Sequence, residues 1–363
     1  MAATFLLGTR PEFLKGFPVI AAAKKRGIRC RVIHSGQHYD FAMSDIFFHE
    51  LQIPRPVAFL GVGSGSHAHQ LALTLTRLEA LERRTKLSNL VVVGDTNTVL
   101  AGAVFARRRG ISLYHVEAGA RCYDPTMAEE QNRRIADHLS DILFAPTSWN
   151  RKALERENIL GRIHVTGNPV IDACVKMLSK LPSHPPILDR VRFDEFVLCT
   201  AHRPEIVDSR AALGEFCKTI RGLGLPIVFP CHPRTMKRLR EFGLMQKLMS
   251  SRKVLMLPPL GYLDFLTLFK RSAFIISDSG GVTEEATAPG LDKLVFSPRV
   301  TTEVPEATES GHLLVVGNDH HLAIARIRKR LDRRIRPRGH PYGVGHAGPK
   351  IASLMARYIA ADA

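Results

Sequence analysis

The chain has 363 residues, which is enough for two domains that each bury a core of their own. Its hydrophobic fraction of 45% and charged fraction of 23% are typical of a globular protein. The six cysteines are scattered, with no CxxC pair and no metal-finger spacing, which favours reduced thiols over a disulfide framework.

The formal net charge of +17 makes nucleic acid the first candidate partner. However, the arginines are mostly spread along predicted helices, and the densest run, at 326–338, has no interleaved aromatic residues. We therefore predict no nucleic-acid partner. A solvated basic face, part of which serves an anionic substrate, accounts better for the charge.

The first ten residues, MAATFLLGTR, lack the basic start and long apolar core of a signal peptide. No stretch approaches the run of about 20 apolar residues that spans a bilayer. We therefore expect no membrane partner and a cytoplasmic protein.

Strands and helices alternate along the first half of the chain. The predicted strands are Thr4–Leu7, Arg29–His34, Leu90–Val93, Ser112–Val116, Ile142–Ala145 and a short one around Val165. The predicted helices lie between them, at about 13–26, up to about Leu51, from about Ala128 and after Thr147. This rhythm is typical of a parallel sheet with helices on both faces.

The segment 181–186, Leu-Pro-Ser-His-Pro-Pro, is the best candidate for a linker, and the pattern restarts after it. The second set of predicted strands is Phe196–Thr200, Ile227–Pro230, Val254–Leu257, Ala273–Ile276 and two near Leu294 and Leu314. A helix follows at Tyr262–Arg271, and a final helix from about Pro349 could pack on either half. We therefore predict an α/β protein with two doubly wound domains, at 1–180 and 187–363.

The stretch Phe274–Ala286, FIISDSGGVTEEA, is the most informative in the chain. We predict that its strand ends at Ser277, that the chain turns sharply through Asp278–Gly281, and that a helix opens at Thr283. Glycines there let the backbone approach a ligand, and the first helical N–H groups favour an anion. Glu285, about one turn into the helix, could hold two vicinal hydroxyls, as on a ribose. A phosphate-bearing ligand is one interpretation, and an ordinary strand–turn–helix connection is the other.

Three carboxylates, Asp95, Glu117 and Glu129, follow predicted strands of the first half. Because ligands of open α/β sheets bind beyond the carboxyl ends of the strands, these acids are candidates for general acid–base chemistry. Each acid alone could instead be an N-cap, a turn residue or half of an ion pair. Arg10 and Lys15 flank the first strand–helix turn, which is a second candidate place for phosphate.

His202 and Arg203 directly follow a strand and could meet a diphosphate, although His202 could equally be a structural histidine. The segment 61–66, GVGSGS, superficially matches a dinucleotide fingerprint but lacks a preceding strand, the final glycine and the distant acid. His67 and His69 have no acidic or cysteine partner at metal-ligand spacing. We therefore predict no cofactor and no metal.

Taken in order, these motifs resemble those of the non-hydrolysing UDP-N-acetylglucosamine 2-epimerases, a family with the two-domain GT-B architecture. The resemblance runs almost end to end. The motifs that carry it are Gly8-Thr-Arg-Pro-Glu12 with Lys15, Gly36-Gln-His38, Gly94-Asp-Thr96, His115-Val-Glu-Ala-Gly119, Glu129-Glu130 with Asn132-Arg133, Gly167-Asn168, Ala201-His-Arg203, Ser277-Asp-Ser-Gly-Gly281 and Glu284-Glu285-Ala286.

The resemblance implies two Rossmann-like domains with a cleft between them, a UDP-sugar substrate, a homodimer and a role in polysaccharide biosynthesis. The UDP clamp it implies places uracil on Phe265 and the ribose on Glu285. It also implies sets of residues for the diphosphate and for the sugar. The diphosphate set is Arg10, His202, Ser279, Gly280 and Gly281; the sugar set is Lys15, Asp95, Glu117 and Glu129, which with His202 are the candidate catalytic residues.

The family pattern is not complete. Ala128 stands where the family has proline, Ile206 where it has asparagine, Val304 where it has arginine, and Val344 where it has aspartate.

The C2 proton of a 2-acetamido sugar is not adjacent to a carbonyl, so a base alone does not remove it easily. Expulsion of UDP from C1 would acidify that proton, and a carboxylate could then take it to give a glycal. Three rival functions remain open: a hydrolysing 2-epimerase that releases N-acetylmannosamine and UDP, a GT-B glycosyltransferase, and a non-enzymatic nucleotide-sugar or nucleic-acid binding protein.

Overall fold

The structure is a computed structural model that describes residues 1–37, 55–333 and 336–361. The chain divides into two compact units, the first made of Met1–Ala173 with Tyr342–Ala363 and the second of Cys174–Pro341. These bounds differ from those of the predicted domains, 1–180 and 187–363, which stay a prediction. Within the described residues, no helix is both long enough and apolar enough to cross a membrane.

The first unit contains a seven-stranded sheet in which every pairing is parallel. Its strands are β1 (Ala2–Leu7), β2 (Arg29–His34), β3 (Ala58–Phe59), β4 (Leu90–Val93), β5 (Leu113–Val116), β6 (Ile142–Ala145) and β7 (Arg162–Val165). Their spatial order is β3-β2-β1-β4-β5-β6-β7. The four residues of β4, Leu-Val-Val-Val, are all fully buried, as a strand covered on both faces requires.

The helices that accompany this sheet are α1 (Arg10–Lys25), α2 (His67–Glu82), α3 (Asn97–Arg109), α4 (Ala128–Leu139), α5 (Ser148–Arg156), α6 (Pro169–Leu178) and, from the end of the chain, α15 (Ala347–Ala361). The boundary between the units falls inside α6. Asp172 on α6 accepts hydrogen bonds from the amides of Ala347 and Gly348, at 3.0 and 2.8 Å. A Cβ on Gly348 would lie 2.8 Å from the carbonyl carbon of Pro18. The glycine therefore lets α15 pack closely against α1.

The second unit repeats this plan with six parallel strands. They are β8 (Val197–Thr200), β9 (Ile227–Pro230), β10 (Val254–Leu257), β11 (Ile275–Ser277), β12 (Val295–Ser297) and β13 (Leu313–Val315), in the spatial order β10-β9-β8-β11-β12-β13. A short 3₁₀ helix (Pro186–Arg190) precedes them. The helices are α7 (Pro204–Val207), α8 (Arg210–Gly222), α9 (Pro233–Glu241), α10 (Met245–Met249), α11 (Tyr262–Arg271), α12 (Gly280–Ala286), α13 (Pro305–Glu309) and α14 (His320–Asp332).

Both sheets therefore reverse their strand order at one place, between β1 and β4 in the first unit and between β8 and β11 in the second. Such switch points open a crevice at the carboxyl ends of the strands, where ligands of open α/β sheets bind. The predicted α/β class and its doubly wound sheets are confirmed. The helix that the sequence predicts up to about Leu51 lies outside the described residues.

Candidate active site

Asp95 and Glu117 follow neighbouring strands of the first sheet, β4 and β5. Gly94, which carries a positive φ of 84°, turns the chain just before Asp95. Glu117 itself has a φ of 72°, in the left-handed region that non-glycine residues rarely adopt. A Cβ built on Gly94 would lie 3.4 Å from Glu117 Oε2. The two predicted acids are thus brought to one edge of the sheet, and Glu117 is held there in a strained backbone conformation.

Two side chains from distant parts of the first unit bind the Glu117 carboxylate. Lys15, on α1, forms an ion pair with its carboxylate, and both side chains are nearly buried. Asn168 Nδ2 donates to Glu117 Oε1 at 3.4 Å. The predicted Lys15 and the motif residue Asn168 therefore converge on the same carboxylate, although they come from distant parts of the chain.

Two residues of α4 hold Asp95 in place. Arg133 Nη2 pairs with Asp95 Oδ2, and Arg133 Nη1 binds Glu130 Oε2 at 3.0 Å. The Asn132 side chain donates to the backbone carbonyl of Asp95 at 3.0 Å. The Asp95 carboxylate is still 34% exposed. It is therefore oriented by its neighbours and remains accessible to a substrate.

Glu129 lies in the first turn of α4, four residues before Arg133 and so on the same face of the helix. Its side chain is half-buried, and within the described part of the chain it makes no hydrogen bond or ion pair. The structure thus places Glu129 beside the arginine that binds Asp95. It does not join Glu129 to the pair formed by Asp95 and Glu117.

Glu12 is a further acid that the sequence analysis did not single out. Its side chain, 2% exposed, accepts hydrogen bonds from the Gly8 amide and the Thr96 hydroxyl, both at 2.5 Å. It therefore joins the loop after β1, which leads into α1 at Arg10, to the loop after β4. Burial raises the pKa of Glu12 to about 7, and its hydrogen bonds to Thr96, Gly8 and Thr9 only partly oppose that shift.

We expect Glu12→Gln to remove a pH dependence of stability. The folded protein keeps the Glu12 proton up to about pH 7, whereas the unfolded chain releases it near 4.5, so the free energy of unfolding should fall as pH rises between these values. At pH 8 the glutamine variant should be more stable by about 3 kcal/mol. Urea unfolding at pH 5 and pH 8 measures this difference, with Glu79→Gln as an exposed control. An unchanged slope in Glu12→Gln would contradict the assignment.

A buried charge network lies beneath the two acids. His115 donates from Nδ1 to Asp137 and from Nε2 to the Gly94 carbonyl, both at 2.8 Å. Arg121 pairs with the other oxygen of Asp137 at 2.8 Å and reaches Glu157 at 2.7 Å. Burial alone would lower the pKa of His115, but the hydrogen bond and charge of Asp137 outweigh it and raise that pKa. In the sequence, only the motif around His115 indicated this network.

In the second unit, Asp278 organises the loop after β8. Its Oδ2 accepts from the amides of His202 and Arg203, each at 2.8 Å. The Nδ1 atom of His202 lies 3.3 Å from Asp278 Oδ1, and the imidazole remains 36% exposed while Asp278 is fully buried. A buried aspartate directly after β11 thus presents His202 outward, as a ligand-binding role requires.

The helix after β11 begins earlier than predicted. It opens at Gly280, not at Thr283, because the Ser279 side chain accepts from the Val282 amide as N-cap. The predicted turn through Asp278–Gly281 therefore ends at Ser279, and neither glycine has a positive φ. Gly280 is required for space instead, since a Cβ there would lie 2.6 Å from Glu303 Oε1.

Glu303 is fixed by two arginines. Arg203 Nη2 donates to its Oε1 at 2.6 Å, and Arg299 pairs with its Oε2. Val304, which follows it and stands at the position of the family's arginine, is 5% exposed and precedes α13. Two cations are therefore present next to the Ser279–Gly281 segment even though the family arginine is missing.

Gly280 and Gly281 form a matched pair for mutation. Gly280→Ala should lower the free energy of unfolding by about 1–3 kcal/mol, because the new methyl group meets a glutamate that two arginines hold. Gly281→Ala should leave stability unchanged, since its Cβ would meet only Ser279 Oγ, at 3.9 Å. If a diphosphate lies against this backbone, calorimetry should nevertheless show weaker UDP binding by Gly281→Ala. Undiminished UDP affinity in Gly281→Ala would remove that glycine from the ligand contact.

The last two predicted clamp residues lie on α11 and α12. Glu285 is 5% exposed and accepts from the Tyr262 hydroxyl at 3.3 Å. Phe265, three residues after Tyr262, is half-buried, and its ring contacts Phe269 edge to face at 5.8 Å. Tyr262 thus links the helix of Phe265 to the glutamate. The described residues contain no group of three or more His, Cys, Asp or Glu side chains placed to hold a metal ion. His67 Nδ1 lies 3.2 Å from Asn97 Oδ1.

Comparison with known proteins identifies the family. The family model described as UDP-N-acetylglucosamine 2-epimerase matches residues 21–356. The UDP-N-acetylglucosamine 2-epimerase of Methanocaldococcus jannaschii is 39% identical over 98% of this chain and 99% of that protein. The UDP-2,3-diacetamido-2,3-dideoxy-D-glucuronate 2-epimerase of Pseudomonas aeruginosa is 32% identical over 97% of this chain and 98% of that protein.

Among solved structures, the crystal structure of the Methanocaldococcus jannaschii UDP-GlcNAc 2-epimerase in complex with UDP-GlcNAc and UDP has a TM-score of 0.93 at 39% identity. That match covers 98% of this chain and 100% of the other. The family and the GT-B class predicted from the motifs are confirmed. The chain belongs to the UDP-N-acetylglucosamine 2-epimerase family.

Proposed function

We propose that this protein inverts C2 of a UDP-2-acetamido sugar by eliminating UDP and adding it back. The observation that carries the proposal is the placement of Asp95 and Glu117 at the ends of neighbouring strands, each with a cationic partner. Epimerisation at C2 needs a group that removes a proton and a group that returns one to the opposite face. Two adjacent carboxylates in different surroundings meet that need.

The steps follow from the chemistry of the sugar. Bond cleavage at C1 gives the electron pair to the leaving diphosphate, for which Arg10, His202 and the Ser279–Gly281 segment are the proposed partners. The oxocarbenium character that develops acidifies the C2 proton, and a carboxylate takes it to give a 2-acetamidoglycal and UDP. Protonation of C2 from the other face, with return of UDP to C1, yields the epimer. Lys15, which pairs with the Glu117 carboxylate, orients it during these transfers.

We propose UDP-GlcNAc as the first substrate to test, with a diacetamido uronate as the modified relative that the Pseudomonas aeruginosa protein is named for. The buried Val304 at the position of the family's arginine supports testing both.

The test is proton and phosphorus NMR of the protein with UDP-GlcNAc in D₂O. UDP-ManNAc carrying deuterium at C2 is the expected product. Free N-acetylmannosamine and UDP would instead assign the hydrolysing activity. With neither UDP-GlcNAc nor the uronate converted or deuterated, the proposal would be overturned.

We further propose that the protein acts in the cytoplasm, as a homodimer, in polysaccharide biosynthesis. The six cysteines support the first point, because none of them forms a disulfide. Sedimentation equilibrium tests the homodimer directly. A single species at the monomer mass at micromolar concentration would contradict it.

A further inference from the structure

A pocket lies at the outer edge of the first sheet, where β7 is the edge strand. It has a volume of about 420 Å³ and is lined by Arg151 of α5, by Ile163, His164 and Val165 of β7, and by Lys350, Ser353 and Leu354 of α15. This volume falls in the range of small-molecule sites, about 300–1,000 Å³. None of the lining residues belongs to the candidate active site.

Positive charges converge on this pocket. Arg162 and Arg357 add to Arg151 and Lys350, and all four charges act on His164. Several exposed cations elsewhere in the described chain are ion-paired, as in Arg83–Glu79, Arg107–Asp141 and Lys218–Glu215.

Three of the four cations at this pocket are not paired in this way. Arg151 pairs with Glu155 at 2.6 Å, but no carboxylate of the described chain lies within ion-pair distance of Arg162, Lys350 or Arg357. Lys350 lines the pocket, and the charges of Arg162 and Arg357 act on its His164, so three cations without carboxylate partners influence this site.

The pocket is also ordered by aromatic contacts. His164 Nε2 lies 2.8 Å from the Tyr358 hydroxyl. The guanidinium carbon of Arg162 lies 5.3 Å from the centre of the Tyr358 ring, a cation–π distance. These contacts hold β7 and α15 together and fix the direction of Arg162. The site is thus partly preorganised without an anion.

We propose that this pocket binds a phosphate group, either of a free phosphorylated metabolite or of a phospholipid headgroup. A dianionic phosphate carries enough charge to engage several cations, and arginine binds its oxygens in bidentate fashion. The three cations without carboxylate partners and the polar His164 and Ser353 supply donors from two different elements. Binding of an anion at this site accounts for part of the net charge of +17.

Anion binding should be linked to protonation of His164. Burial first, and then the charges of Arg357, Arg162, Lys350 and Arg151, lower the pKa of this imidazole. Two further titratable groups of the described residues are linked to it: Tyr358, whose hydroxyl lies 2.8 Å from His164 Nε2, and Glu155, which pairs with Arg151. A bound phosphate cancels part of the repulsion and raises the pKa of His164. The contribution of His164 to phosphate binding should therefore be greater at pH 6 than at pH 8.

The first experiment follows the ring protons of His164 by NMR during a pH titration, with and without inorganic pyrophosphate. UDP is kept in excess throughout so that pyrophosphate does not report on the active site. The spectrum of His164→Gln assigns the resonance. Pyrophosphate should raise the midpoint of the His164 titration. A parallel series with phosphatidylglycerol vesicles, compared with phosphatidylcholine vesicles, distinguishes a lipid headgroup from a soluble phosphate.

The second experiment compares two double variants. Lys350→Ala with Arg357→Ala should weaken binding of the effective probe by roughly tenfold or more, the scale of a lost charge-assisted hydrogen bond. Arg83→Ala with Lys237→Ala removes the same charge from exposed sites and should leave binding unchanged. Equal weakening in both double variants would show that binding depends only on the net charge of the protein, and it would overturn the proposal. So would a His164 titration in the natural protein that moves with neither pyrophosphate nor anionic vesicles.

Discussion

Glu117→Gln should lower turnover by a factor of about 100 or more, the usual scale for a lost acid–base group. An amide of the same shape keeps a hydrogen-bond acceptor for Lys15 but cannot take a proton. It also leaves the nearly buried Lys15 ammonium without its counter-charge. Asp95→Asn should have an effect of similar size, because Asp95 remains exposed enough to meet the sugar while Arg133 holds it in place. We expect Glu129→Gln to lower turnover as well.

The measurement is the initial rate with UDP-GlcNAc, together with the free energy of unfolding of each variant. Glu79→Gln, an exposed acid paired with Arg83 on α2, is the matched control and should turn over normally. Near-normal rates in Glu117→Gln, Asp95→Asn and Glu129→Gln together would contradict the proposed mechanism.

The same variants can assign the two acids to the two faces of the sugar. Each variant is supplied with UDP-GlcNAc and, separately, with UDP-ManNAc in D₂O. If one acid serves one face, its loss should slow proton removal from one epimer more than from the other. Equal loss of exchange from both epimers would mean that the acids act as one unit.

Much of the scaffold of this site could be predicted from the sequence. Short apolar runs such as Leu90–Val93 and Ile142–Ala145 are bounded by polar residues, and both coincide with observed strands. Because strands of a parallel sheet end at one edge, the residue types that follow them locate the candidate site. The positions of Asp95, Glu117 and His202 depend only on that local rule.

The partners of these residues could not be predicted, because they depend on packing between distant segments. Lys15 and Glu117 are 102 residues apart, and Asp278 reaches back to the amide of His202 across 76 residues.

The burial of polar residues in helix α4 could not be predicted either. Its polar composition predicts a solvated face, yet Glu130, Asn132, Arg133 and Asp137 are buried in it, because they serve the loops that follow β4 and β5.

The space around a residue is a third feature that cannot be predicted from the sequence. Two adjacent glycines after a strand predicted a close approach of the backbone to a ligand. The structure shows ordinary helical backbone at both, with the requirement at Gly280 arising from the side chain of Glu303. Glu303 lies 23 residues further along the chain, and its approach becomes visible only in the folded protein.

Asp137→Asn should lower the free energy of unfolding by about 3–5 kcal/mol, the cost of removing one partner from a buried ion pair. The carboxylate of Asp137 is fully buried and receives His115, Arg121 and the amide of Gly119. Burial alone would raise its pKa, but His115 and Arg121 outweigh burial and lower it. Asparagine of the same shape leaves two buried cations with less negative charge, so stability falls although the packing is kept.

The pH dependence distinguishes lost charge from lost packing. The raised pKa of His115 means that its protonation stabilises the fold fully below the unfolded value of 6.5, and that this contribution disappears as pH rises through the folded pKa. The lowered pKa of Asp137 gives a contribution that is present above 3.8 and disappears as pH falls through the folded value. The difference between natural protein and Asp137→Asn should therefore be greatest between these limits and shrink at high pH.

Urea unfolding from pH 4 to pH 10 measures this profile, with Glu157→Gln as a milder variant that leaves the Asp137 pairs in place. Turnover provides a second readout. His115 holds the Gly94 carbonyl just before Asp95, so Asp137→Asn should reduce turnover at pH 7 even where most of the protein is folded. A destabilisation that does not change with pH would mean that Asp137 contributes shape alone. A destabilisation that follows the His115 titration, together with lost turnover, would show that one buried charge pair both stabilises the first unit and positions its acid.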